Sequence, residues 1–243
     1  MAQGGWAQAA QRRQAEYYAA TAGEYDGWHL GEHEHDVALR FIAALAIGLG
    51  CRSALDVGTG TGRGMRFLDG AAPGLDVVGI EPVPALVDRA VHNGVAPERI
   101  VIGSGESLPF PDDHFDLVFE TGILHHVPNP AAVVAEMLRV ARVGVFLSDD
   151  NRFGFGPWPW RAVKLGLKLS GLWPVAYRLR TRGRGYRVTE WDGVGYSYSP
   201  YDSFGALARW GRVFTIATDP VSTGSWLHPL MTSGHVLMGS VRD

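Results

Sequence analysis

Residues 54–64 read Ala-Leu-Asp-Val-Gly-Thr-Gly-Thr-Gly-Arg-Gly, and no other stretch constrains the chain as strongly. An apolar run ends at Asp56, and glycines follow at alternate positions. The pattern predicts a buried parallel strand that stops at Asp56, a tight loop, and a helix from about Arg63. Glycines in such a loop accept positive φ and let the backbone approach a ligand. Amides at a helix N-terminus face anionic or polar groups. A carboxylate at the strand's end can orient an ammonium or a hydroxyl.

Two ligand classes use this arrangement, dinucleotides and S-adenosylmethionine (SAM), and glycine spacing separates them. The dinucleotide fingerprint G-x-G-x-x-G needs a glycine at 63 or 65, where this chain has Arg63 and Met65. What is present is an acid followed by G-x-G-x-G: Asp56, Gly58, Gly60 and Gly62. That pattern resembles motif I of the class I SAM-dependent methyltransferases.

A length of 243 residues, 46% hydrophobic and 19% charged, suits one globular domain with a sizeable core. The lone cysteine, Cys51, permits no intramolecular disulfide and reads as packing. With no leader-like segment and no apolar run of membrane-spanning length, a cytoplasmic protein is expected.

Tyr17, Tyr18 and Tyr25 precede Gly27-Trp28-His29-Leu30-Gly31, an aromatic patch that reads as a lid over a ligand or as packing for the next helix. That helix is expected over Glu34–Leu49, with Val37, Phe41, Ala44, Leu45 and Ile47 on its apolar face. His29, Glu32, His33, Glu34, His35 and Asp36 look like metal ligands. On a helix, however, His33 and His35 lie about 200° apart. The segment therefore reads as a solvated helix start with acids near its N-terminus, and no metal site is expected.

The first helix should end near Leu68, before Pro73-Gly74. Val77–Glu81 is a second strand ending in a carboxylate, with Pro82 opening a helix from Pro84 to about Ala90. Glu81 lies one βαβ unit after Asp56, in register to bind both ribose hydroxyls of a nucleoside. Arg99–Ile102 and Phe115–Glu120 are further strands. Residues 131–142 are an amphipathic helix, and Val143–Ser148 is a fifth strand running into Asp149-Asp150-Asn151. Val213–Thr218 and His235–Val241 are the sixth and seventh, joined through Asp219-Pro220 and Trp226-Leu227-His228-Pro229.

Between these strands stand Gly103-Ser104-Gly105-Glu106-Ser107-Leu108-Pro109-Phe110-Pro111-Asp112, then Phe115-Asp116-Leu117-Val118, then Leu124-His125-His126-Val127. With motif I they resemble, over residues 50–150, the type 11 methyltransferase domain of the small-molecule branch of class I. The resemblance implies an α/β, Rossmann-like fold: a seven-stranded, mostly parallel sheet with an antiparallel last strand and helices on both faces. It implies methyl transfer from SAM to a small-molecule acceptor, leaving S-adenosylhomocysteine (SAH). Asp56, Gly58, Thr59, Gly60 and Gly62 would approach the methionine moiety and sugar. Glu81 and Pro82 would hold the ribose, and Ser104, Gly105 and Glu106 would line the adenine. Thr121, Tyr17 and Tyr25 would complete the cofactor site. Ser104 stands where many relatives have an Asp that contacts the adenine amino group.

For the chemistry, His125, then His126, is the expected base for a hydroxyl acceptor, with Asp149 as its orienting carboxylate. In sugar O-methyltransferases that resemble this chain, such residues are implicated together. Two other classes remain open: a metal-dependent catechol-type methyltransferase, suggested by Asp149-Asp150-Asn151, and a SAM-binding protein with a non-methylating activity such as a cyclase or isomerase. The metal reading needs an oxygen ligand at the end of strand four, where Thr121 is a poor donor and Glu120 is expected on the other face.

Residues 152–189 hold nine basic residues (Arg152, Arg161, Lys164, Lys168, Arg178, Arg180, Arg182, Arg184, Arg187) and no acid. With a total of −3, the rest of the chain carries −12. Trp158, Trp160 and Trp173 are interleaved, and two short helices broken at Pro174 and at Gly183–Gly185 are expected. This insert reads as a solvated helical cap with a tryptophan-rich underside, as a recogniser of an anionic acceptor or carrier, or as an interfacial membrane helix. A nucleic-acid partner is not expected, because the basic charge occupies one insert without RNA-domain signatures. The whole reads as one domain, 1–243: a helical N-terminal lid (1–50), a SAM-binding core (51–151), a helical cap (152–200), and a C-terminal helix with strands six and seven (201–243).

Overall fold

The computed structural model describes residues 9–10, 12–21, 23, 33–189, 193–219 and 227–242. Tyr25, residues 27–31, Glu32, Pro220 and Trp226, all singled out above, lie outside them.

A short helix α1 (12–21) precedes α2 (His33–Gly48), β1 (Ser53–Val57), α3 (Arg63–Ala71), β2 (Asp76–Glu81) and α4 (Pro84–His92). Then come β3 (Ile100–Ile102), β4 (Phe115–Thr121), α5 (Pro130–Val140) and β5 (Ala141–Asp150). The insert contributes α6 (Trp158–Leu169), α7 (Trp173–Arg180), β6 (Tyr186–Thr189) and β7 (Gly193–Tyr196). The chain closes with α8 (Phe204–Trp210), β8 (Arg212–Ala217) and β9 (His235–Val241).

Seven strands form one sheet in the order β3-β2-β1-β4-β5-β9-β8. Pairings from β3 through β5 are parallel, and β9 runs antiparallel to both β5 and β8. The chain leaves β1 toward β2 on one side, and β4 lies on the other. Such a switch point opens a crevice beyond the strands' carboxyl ends. Strands buried on both faces read as near-continuous apolar runs, as Phe-Asp-Leu-Val-Phe does in β4. One face packs Ala54, Leu117, Phe119 and Phe146 against α2, α3 and α4; the other packs Leu55, Val118, Val145 and Leu147 against α5 and α8.

Four expectations are corrected. Helix α2 buries Ala38, Leu39, Ile42, Ala43 and Ala46, and leaves Phe41 and Ile47 exposed. The larger side chains suggested one stripe, yet alanines allow the close approach to the sheet, and their 3.6-residue spacing sets the inner face. His35 is also no solvated helix-start residue, since its ring meets His235 edge-on at 5.0 Å. In the insert, Pro174 opens α7 at its first turn instead of breaking a helix. The insert also ends in an antiparallel hairpin, β6–β7, that helical expectations missed.

Gly62 caps α3 at φ 79°. A Cβ there would lie 2.5 Å from Val95 Cγ2 and 3.2 Å from Ala90 Cβ. Left-handed backbone costs an L-residue about 1–2 kcal/mol, and overpacking adds about 1–3. Gly62→Ala is expected to destabilise the fold by roughly 2–4 kcal/mol, read as a lower urea midpoint at unchanged m-value. A midpoint equal to wild type would show that the loop relaxes freely.

Candidate active site

The loop after β1 turns back on the end of β2. Gly58 and Thr59 N–H groups donate to Ile80 O at 2.8 and 3.1 Å, and Gly60 N–H donates to Glu81 Oε2 at 3.0 Å. Val83 N–H donates to Glu81 Oε1 at 3.0 Å. A carboxylate has about four acceptor positions, so Glu81 keeps capacity for two ligand hydroxyls. Burial pushes Glu81 up to about 7, against the Val83 and Gly60 N–H bonds that favour its charge.

Asp56 lies beneath the same loop. Thr59 Oγ1 donates to its Oδ2 at 2.9 Å, and its buried Oδ1 has no hydrogen-bond partner among the described residues. Burial pushes Asp56 up to about 7, opposed by the Thr59 bond and aided by Glu81. Gly58, at φ 72°, leaves no room for a side chain, since a Cβ would lie 2.6 Å from Ile123 Cγ2. An unpaired carboxylate oxygen, a loop without side chains and a strand-end glutamate suit a ligand with ammonium and hydroxyl donors.

Beyond β3, Gly105 packs against Val57 and Val133, and Ser104 Oγ accepts from Glu106 N–H at 3.2 Å. Pro82 and Ser104 are exposed, and Thr121 ends β4 half-buried. Tyr17 packs beside Gly193 of the cap hairpin. Tyr18, named with Tyr17 and Tyr25 in the aromatic patch, packs on Val83 and Leu86 next to the end of β2. Helix α1 therefore bridges the end of β2 and the cap hairpin. Gln14 strengthens this bridge by accepting from Val194 N–H at 2.5 Å.

The turn after β4 packs on the glycine loop through Ile123, and it carries the two histidines. Asp149, fully buried at the end of β5, holds this turn through His125. Its Oδ2 accepts from the Leu124 and His125 N–H groups at 2.9 and 3.2 Å. Its Oδ1 lies 2.7 Å from His125 Nδ1 and accepts from Asp150 N–H at 2.5 Å. Although burial pushes Asp149 up, the His125 charge and hydrogen bond, His235 and the Asp150 N–H hold it below the usual carboxylate range. An ionised Asp149 requires the His125 proton on Nδ1, which leaves Nε2 as the basic nitrogen.

Glu120 corrects the sequence reading. It pairs in register with Leu147, so it shares the face of Asp149 instead of pointing to the opposite one. Burial, then the Asp149 charge, raises Glu120 well above its ordinary value, despite the Ile123 N–H bond and nearby His125. The two carboxyls are thus pushed apart, Glu120 toward its neutral form and Asp149 toward its charged one. His126 turns away from Asp149. Its Nδ1 lies 2.8 Å from Val194 O, and its ring meets Tyr18 edge-on at 5.8 Å. It therefore ties the turn to cap and lid.

Next to this turn, a cavity of about 400 Å³ opens between Pro128 and the cap. Trp173, Tyr177, Tyr186, Tyr196 and Tyr198 wall it, and Arg178 and Arg184 add charge. Burial raises the Tyr198 hydroxyl well above its ordinary value, and it lies 2.8 Å from Ser203 Oγ.

Comparison with known proteins fits this geometry. The family model described as a methyltransferase domain, type 11, matches residues 55–148. An uncharacterized methyltransferase of Mycobacterium marinum is 34% identical over 145 residues, 59% of this chain and 56% of the relative. Another, from Mycobacterium sp. strain KMS, is 41% identical over 127 residues, 50% of this chain and 47% of the relative. The chain thus spans about half the length of the curated relatives it matches. Among solved structures, magnesium protoporphyrin IX methyltransferase from Synechocystis PCC 6803 with bound SAH has a TM-score of 0.60 at 16% identity, covering 96% of this chain and 100% of that one. The DhpI–SAM–HEP complex has a TM-score of 0.59 at 18% identity, covering 96% and 97%. The fold is that of the class I methyltransferases.

Proposed function

With a methyltransferase domain at residues 55–148 as its core, the chain, we propose, moves a methyl group from SAM to a hydroxyl of a small-molecule acceptor. The SAM reading is supported by the glycine loop and Glu81, and by neighbours that carry SAM or SAH. Glu81 would hold the ribose hydroxyls, Asp56 would face the ammonium, and the 103–106 loop would border the adenine.

When bound, SAM supplies a methyl group already activated by its sulfonium. The protein has to exclude water, align the acceptor and take up its proton. The observation that carries the hydroxyl reading is the 2.7 Å contact between His125 Nδ1 and Asp149 Oδ1. It fixes the tautomer and leaves Nε2 to accept the hydroxyl proton. The aromatic cavity beside the turn supports an acceptor with a flat or apolar body. In this reading Thr121 borders the methyl-transfer side, and His126 positions the cap without taking the proton.

The catechol-type metal reading is weaker on donor chemistry. Four contacts from protein nitrogens occupy the Asp149 oxygens, and Glu120 is pushed toward its neutral form. Incubation with methyl-labelled SAM and a panel of phenols, sugars and hydroxylated metabolites tests the proposal. Label on an acceptor oxygen, with release of SAH, is the expected outcome. Tight SAM binding with no transfer to any acceptor would favour the non-methylating reading, and transfer abolished by a chelator would favour the metal one.

A further inference from the structure

Behind the aromatic cavity lies a second one of about 300 Å³ that shares Trp173, Tyr177 and Ser197 with it. Arg152, Lys164, Arg180 and Arg187 line it together with Trp160. Among the described residues, cations outnumber the carboxylates paired with them here. Asp202 pairs with Arg152 and with Lys168. Lys164, 6% exposed, donates its Nζ to two main-chain carbonyls, Arg152 O and Phe155 O. Arg161, just outside, likewise donates to the carbonyls of Gly156 and Met231.

Arg152 is the central group. It is 9% exposed, and its Nη1 donates to Ser197 O at 2.6 Å. Its guanidinium lies over the Phe153 and Trp173 rings at 5.1 and 5.6 Å, yet its buried Nε has no hydrogen-bond partner among the described residues. A buried donor without a partner is costly. Concentrated like charge adds to that cost. Burial first, then Arg161, Arg152, Arg180 and Arg187, brings Lys164 down to about 8. A cap with these charges is relieved by an anion. Several N–H donors around one chamber suit the oxygens of a phosphate, sulfate or carboxylate.

We propose that this cavity is an oxyanion subsite that holds the phosphate, sulfate or carboxylate group of the acceptor, while its flat portion lies in the neighbouring aromatic cavity. The identity of the anion as part of an acceptor rests on the methyl-transfer reading; the binding site does not. Four of the insert's nine cations line this chamber.

Calorimetry tests this without turnover. Phenyl phosphate, inorganic phosphate, benzoate and phenol are titrated into wild type and into an Arg180→Gln/Arg187→Gln variant. Both arginines are exposed on their own elements, so the variant should fold, and unchanged SAM affinity checks this. The expected result is saturable binding of phenyl phosphate or benzoate, at least tenfold tighter than phenol and at least tenfold weaker in the variant. Inorganic phosphate binding more weakly than phenyl phosphate would show that the flat portion contributes. Equal affinity for phenol, equal affinity in the variant, or inorganic phosphate binding as tightly as phenyl phosphate would overturn the proposal. A vesicle arm addresses the exposed Leu169 and Leu179 of the cap helices. Sedimentation with phosphatidylglycerol vesicles, without phenyl phosphate binding, would assign the charge to a lipid surface and also overturn it. If the anion binds as expected while a His125 variant keeps full turnover, the subsite stands and the base assignment falls.

Discussion

Replacing His125 by alanine is expected to lower kcat by roughly 10²–10⁴-fold, the usual contribution of a positioned general base. SAM affinity should stay near wild type, since His125 touches neither the glycine loop nor Glu81 in any hydrogen bond described. The loss should fall on kcat more than on KM, because the interaction matters as the hydroxyl proton departs. Asp149→Asn is a less clean probe. Asp149 also holds the Leu124 and His125 N–H groups, so an amide there would turn its own donors toward N–H groups and shift the turn. A lowered kcat in both variants, with the acid limb of the pH–rate profile lost only in His125→Ala, would identify His125 as the group that must be neutral. Full turnover by a His125→Ala/His126→Ala variant would leave alignment alone as the source of rate.

The glycine loop, Glu81, His125 and Asp149 were legible in the sequence because each is tied to a strand end at fixed spacing. An apolar run that stops at an acid and continues in glycines has few structural solutions, and β1 and β2 adopt the expected one. The mostly parallel seven-stranded sheet and the antiparallel β9 followed from the same resemblance. What was missed depends on side-chain direction. Glu120 was assigned to the wrong face, and only its register with Leu147 places it beside Asp149. The inner face of α2 was missed because Leu39, Ile42 and three alanines, not Phe41 and Ile47, make the contact.

The cap was hardest to read, for two reasons. Its hairpin carries short alternating runs, Tyr-Arg-Val-Thr and Gly-Val-Gly-Tyr, around a turn signal at Asp192-Gly193. Among so many arginines and aromatics that signal was weak, though it was available. The nine cations were visible as a count, but a count cannot say which side chains turn inward. Arg152 and Lys164 do, Arg152 against the Trp173 ring and Lys164 through the carbonyls of Arg152 and Phe155, with no periodic signature in the sequence.

The second large effect concerns Glu81 and couples cofactor binding to protons. Glu81→Ala is expected to weaken SAM binding by about 2–3 kcal/mol, roughly 30- to 150-fold, through loss of two charge-assisted hydrogen bonds. Glu81→Gln keeps the shape and removes the titration, so it isolates the electrostatic part. In the free protein burial holds Glu81 at about 7, and Asp56 likewise. Both therefore stand above their unfolded values of about 4, so the folded state carries the extra protons between those limits. Their contribution to stability is fully present below about pH 4, declines as pH rises, and is lost above about 7. A ligand that donates hydroxyl and ammonium hydrogens favours the ionised carboxylates and lowers both values. SAM binding should accordingly release protons near pH 6.5, and its affinity should climb from pH 5.5 to about 7, by at most about tenfold per unit for each coupled carboxyl, then level off. Titrations in buffers of different ionisation enthalpy measure the released protons directly. Glu81→Gln should cut that release and flatten the pH dependence. An affinity in wild type independent of pH, or proton uptake in place of release, would mean that the ligand does not engage the carboxylates at the ends of β1 and β2.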